Sequence, residues 1–96
     1  MKIGMIAAFT ALPGKAEALL QALRDNVAFV REREPDLRCD IFVAEDDAHK
    51  ISLVEVYASQ AAYDLHRNAP YGADLLARVQ PHMDGWPSGA RFRVDD

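Results

Sequence analysis

Apolar positions dominate residues 1–10, where Ile3, Met5, Ala7 and Phe9 alternate with Gly4, Ile6 and Ala8, and the run reads as a β-strand that Pro13-Gly14 closes off. From Lys15 the period changes. Ala16, Leu19, Leu20, Leu23, Val27 and Val30 stand at offsets 0, 3, 4, 7, 11 and 14, so they line one side of a helix while Glu17, Gln21, Arg24, Arg31 and Glu32 face away. Glu34-Pro35-Asp36 ends that helix, because the residue before proline is driven out of the α region and the ring cannot continue the ladder. Residues 37–44 and 50–58 read as two strands joined by the polar turn 45–49. Ser59 is placed to cap a short helix running to Arg67, Pro70 interrupts it, and a second piece over 71–83 carries Leu75, Leu76, Val79 and Met83 at helical spacing. After the loop 84–89, residues 90–94 alternate apolar side chains with arginine as a last strand.

The order β-α-β-β-α-β predicts an α+β chain of the ferredoxin-like, split βαβ kind, with a four-stranded antiparallel sheet and helices on one face. No linker, repeat or low-complexity segment divides residues 1–96, so a single domain is expected. The strands carry an anomaly. Ile3, Met5, Ala7 and Phe9 stand opposite Gly4, Ile6 and Ala8, and Ile51, Leu53 and Tyr57 stand opposite Val54 and Val56, so both sheet faces are apolar. Helices cover only one of them. The other calls for a cover, most simply the same face of a second copy, and the expectation is a homodimer closed sheet to sheet. The plainer reading is a solvated sheet with a few extra Ala and Val, since much of any protein surface is apolar. A space left between the sheet and its own helices, or between subunits, would be dry and suited to a small, mostly apolar ligand.

Composition narrows the function. The chain has 96 residues, 50% hydrophobic and 27% charged, a balance that excludes disorder and collagen-like repetition. Fifteen acidic against eleven basic residues give a formal charge of -4, which argues against a nucleic acid partner. The single Cys39 cannot form an intramolecular disulfide, and no Cys/His cluster has zinc spacing, so a reducing cytoplasm is the expected location. The apolar run 3–9 is too short for a signal peptide or a membrane span.

Pro13-Gly14-Lys15 opening the first helix, Glu34-Pro35-Asp36 closing it, Glu55-Val56-Tyr57 with Ser59 and Ala62, and His66 followed by Pro70 form an ordered set of signals. Together they resemble the antibiotic biosynthesis monooxygenase family of dimeric α/β-barrel proteins over nearly the whole chain. The chain departs from that pattern at Asp36, where the family commonly has Gly, and at Tyr57, where it usually has Trp. Tyr71 stands where an aromatic or His often follows the later proline. The haem-degrading branch of the superfamily fits less well, since its Asn, Trp and haem-ligating His would fall near Ala7, His66 and Leu76. The resemblance implies oxygen insertion into small phenols, quinols or polyketide anthrones without flavin, haem or metal. An electron-rich phenolate can itself reduce dioxygen by one electron, so the protein needs chiefly to desolvate the substrate and remove its proton.

His66 is the candidate base: it follows Ala62 by four positions and borders the inward side of its helix. Its rival role is a packing histidine bonded to backbone. Tyr57 and Tyr71 are candidates to hydrogen-bond or stack on a substrate, against an ordinary core or interface role. Trp86, in a Gly- and Pro-rich loop, either lines a pocket mouth or buries itself against another subunit. Glu55, a lone carboxylate in an apolar strand, is either an acid-base or substrate contact with a raised pKa or the partner of Arg91 or Arg93. His82 reads as a helix C-cap, Cys39 as a small buried hydrophobe, and Asp46-Asp47 as solvated charge. Three functions compete: a cofactor-independent monooxygenase, an isomerase or lyase needing proton transfer alone, and a non-catalytic small-molecule or stress-related binding module. Metallochaperone, RNA-recognition and acylphosphatase readings lack their Cys-x-x-Cys, paired aromatics and Gly-rich loop with Arg.

Overall fold

Four strands and three helices follow the expected order in the computed structural model, which describes residues 1–95. They are β1 (Ile3–Thr10), α1 (Ala16–Arg33), β2 (Arg38–Ala44), β3 (Asp47–Tyr57), α2 (Gln60–Arg67), α3 (Tyr71–Val79) and β4 (Ser88–Arg93), with a 3-10 turn over Gln80–His82. The sheet order is β2-β3-β1-β4, antiparallel throughout. This is the ferredoxin-like α+β arrangement.

Each boundary has a local cause. Gly14 takes a φ of 77°, a left-handed turn that costs glycine little, and lets Lys15 N–H reach the carbonyl of Leu12 just before α1. At the other end Pro35 blocks a further turn, and the Glu34 N–H closes on Val30 while its carbonyl accepts from Leu37. Ser59 caps α2, its hydroxyl accepting from the Ala62 N–H at 3.1 Å.

Two boundaries differ from expectation by three residues or more. β3 starts at Asp47, three positions before Lys50, because the β2–β3 hairpin closes in a tight turn at Glu45-Asp46 and its polar tip pairs beyond the core. The helix expected over 71–83 ends at Val79; the chain tightens to a 3-10 turn containing Pro81, and Met83 bridges to Ala11 instead.

Leu19, Leu23, Val27 and Val30 of α1 pack with Ile3, Phe9, Ile51, Leu53 and Val79 as the core. Strand alternation and register then decide what shares a face. Tyr57, Ile3 and Arg93 stand abreast, as do Cys39, Glu55, Met5 and Arg91, all on the helical side. Behind them lie Gly4, Ile6 and Ala8 with Val54, Val56, Ala90 and Phe92. Among the described residues no helix covers that back face, where Ile6 is 38% and Phe92 48% exposed.

Candidate functional site

Glu55 is the anomaly of β3: it alternates with Leu53 and Tyr57 on the covered face and is only 8% exposed. Arg91 does not pair with it. β1 runs between them, and Arg91 instead bonds Gln60 and lies over the Tyr63 ring at 4.5 Å. The Glu55 carboxylate accepts from the Tyr57 hydroxyl at 3.0 Å and faces His66, whose Nε2 is 3.6 Å from its Oε2.

His66 reaches this point because α2 is short and amphipathic, and Asn68 to Pro70 turn the chain into α3 immediately afterwards. Its Nδ1 lies 2.7 Å from Oε2 of Glu34. The same Glu34 oxygen accepts from the Tyr71 hydroxyl. As an acceptor, Glu34 selects the tautomer with hydrogen on Nδ1 and leaves the Nε2 lone pair open on the Glu55 side. Two aromatic rings clamp the imidazole, Tyr57 at 5.3 Å and Tyr71 at 5.7 Å between centroids, both edge-on.

Burial above all holds the Glu55 carboxyl above the usual carboxylate range, against the opposing pull of His66 and of the Tyr57 hydrogen bond. Burial, with help from Glu55, likewise raises Tyr57. Tyr71 is pushed up to about 12, by burial first and then by its bond to Glu34. Both hydroxyls therefore stay protonated donors at neutral pH. Because folded Glu55 keeps its proton to higher pH than the unfolded chain does, the folded state binds the extra proton between the ordinary and the raised pKa. Its contribution to stability is present at low pH and is lost as pH rises through that window. The urea midpoint of Glu55→Gln should therefore fall less than that of wild type as pH is raised through it; equal slopes would remove this account.

Beside the Glu55–His66 pair lies a cavity of about 540 Å³ between the sheet and its own helices. Its floor is Met5, Ala7, Phe9 and Leu53, its far wall Leu75, Leu76 and Val79, and its polar groups include Asn26, Glu55 and His66. A smaller cleft of about 210 Å³ opens on the other side of the dyad, lined by Glu34, Pro35, Tyr57 and Leu65 among others. His66 lines the larger cavity and not the smaller cleft. Among the described residues no group of three or more His, Cys, Asp or Glu side chains is arranged to hold a metal ion.

Residues 2–78 match the family model for antibiotic biosynthesis monooxygenases. The chain belongs to that family. Among solved structures, the family's monooxygenase-like fold recurs in an antibiotic biosynthesis monooxygenase-type protein from Caulobacter crescentus, 24% identical, TM-score 0.89, covering 99% of this chain and 91% of that one. A Mycobacterium tuberculosis protein is similar at 24% identity and TM-score 0.85, with 100% and 97% covered. One from Pseudomonas aeruginosa aligns at 26% and 0.81, with 98% and 95% covered. Comparison with curated protein sequences finds no significant match.

In this family member the residues singled out by sequence separate into two groups. His66 and Glu55 come together on the cavity wall. Tyr57 and Tyr71 are not on that wall; they hold Glu55 and Glu34, and through them the imidazole. Trp86 is not brought in either: the loop turns at Gly85, φ 78°, and leaves Trp86 69% exposed with Pro87 and Ser88 at the cavity. His82 donates no side-chain cap, and its Nδ1 is buried without a partner. Cys39 is buried, its thiol pushed up to about 12 mainly by burial, as an inert packing residue requires. Two site residues escaped the sequence reading. Glu34 carries a signal only as the residue before Pro35, and Asn26 as a polar position inside the apolar stripe of α1.

Proposed function

We propose that this protein is a cofactor-independent monooxygenase that oxidises a small quinol-like or polycyclic phenolic substrate with dioxygen, working as a homodimer in a reducing cytoplasm. The observation that carries this reading is an imidazole on the wall of a mostly apolar cavity, with Nδ1 2.7 Å from Glu34 and Nε2 3.6 Å from Glu55.

His66 Nε2 removes the acidic proton of a substrate seated on Leu53, Leu75, Leu76 and Val79. The imidazolium so formed is stabilised between Glu34 and Glu55, the arrangement by which a carboxylate both orients a histidine and supports its charge. The apolar wall leaves the substrate anion poorly solvated and raises its reducing power toward dioxygen. One electron passes to dioxygen, and the resulting radical pair combines to form the C–O bond of a peroxide anion, which takes the proton back from His66. Removal of the remaining hydrogen on that carbon as a proton, with cleavage of the O–O bond, gives a carbonyl and water. One oxygen atom enters the product, the other leaves as water, and all four electrons come from the substrate.

The dimer is proposed from the uncovered sheet face, where Ile6, Val54, Val56 and Phe92 form one apolar surface. The lining residues of the cavity described above all come from one chain, on the opposite side of the sheet from this surface. The test is aerobic incubation with a panel of quinols and anthrones in an oxygen electrode. Uptake with at least one compound, about 10²-fold or more above the uncatalysed rate, is expected. Tight binding without uptake would favour the binding-module reading, and product formation without oxygen would favour proton-transfer chemistry.

A further inference from the structure

Asn26 has no evident purpose within the fold. It sits on the inner stripe of α1 beside Leu23 and Val27 and is only 5% exposed. A carboxamide brings two donors and an acceptor oxygen, and here they keep a little accessible surface at the cavity while the residue as a whole is buried. Among the described residues, the Asn26 side chain makes no hydrogen bond to protein. It faces the same cavity as Glu55 and His66, but from α1, whereas those two come from β3 and α2. The position also loses helix propensity relative to the leucines around it. A residue that lowers both packing and propensity, and is aimed into a cavity, has its return in what the cavity binds.

We infer that Asn26 is a specificity-determining residue, whose carboxamide hydrogen-bonds an oxygen substituent of the bound aromatic molecule distinct from the hydroxyl that His66 deprotonates. The identity of that second hydroxyl rests on the monooxygenase reading; the hydrogen-bonding role of Asn26 does not. The floor and far wall, Met5, Ala7, Leu53, Leu75, Leu76 and Val79, are apolar. Asn26 is thus set to distinguish a polyoxygenated ring system from a simple phenol of the same shape, because an unanswered carboxamide rejects the analogue that lacks the oxygen.

Equilibrium binding of naphthol and of dihydroxynaphthalene isomers under nitrogen, where no turnover occurs, tests this. At least one dihydroxy isomer is expected to bind wild type about tenfold more tightly than naphthol, the worth of one good hydrogen bond. Asn26→Ala, which removes the amide without adding volume, is expected to abolish that preference. Asn26→Leu without ligand is expected to melt no lower than wild type, since it places an apolar side chain of similar size on the apolar stripe of α1. A preference that survives in Asn26→Ala, or wild type that shows none, overturns the inference, as does a lower midpoint for Asn26→Leu. The monooxygenase reading fails separately. Absent oxygen uptake with an Asn26-dependent preference sinks that reading and keeps this inference, whereas uptake with an Asn26-independent preference does the reverse.

Discussion

His66→Ala is expected to lower oxygen uptake about 10²- to 10⁴-fold with the best substrate, while leaving the fold intact. The reason lies in the geometry: Nε2 faces Glu55 at the cavity wall, and Nδ1 is committed to Glu34 at 2.7 Å. With alanine the proton has only solvent or the buried Glu55 to go to, and Glu34 keeps its Tyr71 partner. Glu34→Gln separates basicity from orientation. The amide fills the same space but cannot neutralise an imidazolium, and a hydrogen bond to a charged group is worth about 1.5–3 kcal/mol, so a fall of roughly 10- to 100-fold is expected. Circular dichroism and thermal melts check folding. Uptake in His66→Ala equal to wild type would remove the base from the mechanism, whatever the fate of the other residues.

Ile6→Glu is expected to convert the proposed dimer to monomers at micromolar concentration. β1 is an inner strand, between β3 and β4, and Ile6 lies opposite both Val54 and Ala90 on the uncovered face, so its position is central rather than peripheral. In a two-fold interface each substitution is made twice, on the same patch of both copies. Burying an unpaired carboxylate costs several kcal/mol, and about 4 kcal/mol alone weakens association by roughly 10³-fold. Sedimentation equilibrium of wild type and variant decides the matter. The cavity, formed within one chain on the other side of the sheet, should keep its ligand affinity in the monomer. Wild type that sediments as a monomer, or a variant that remains dimeric, would exclude this face as the interface.

Reading the chain alone goes furthest where one periodic pattern meets one boundary signal. The stripe of α1, the Ser59 cap and the strand order rest on local chemistry, and the structure keeps all three. It goes least far where polar residues do unexpected work. The hairpin tip reads as a turn over 45–49 because Asp47 and His49 are polar, yet exposed strands pair through backbone and need no apolar side chains. Glu34 reads as a helix end, and that is correct for its backbone. Nothing nearby in the sequence tells that its carboxylate meets His66, 32 positions on, and Tyr71, 37 positions on.

The chain by itself determined the α+β architecture and a sheet with two apolar faces. It also marked Glu55 and His66 as polar residues in apolar surroundings, since periodicity of 2 or 3.6 and side-chain chemistry are local properties. Only the tertiary structure decided that Tyr57 and Tyr71 hold the dyad rather than line the cavity, that Glu34 fixes the tautomer, and that Asn26 points into the chamber. Those facts depend on how α1, α2 and α3 settle over β3, which is set by the fit of side chains far apart in sequence and by no pattern within any one segment.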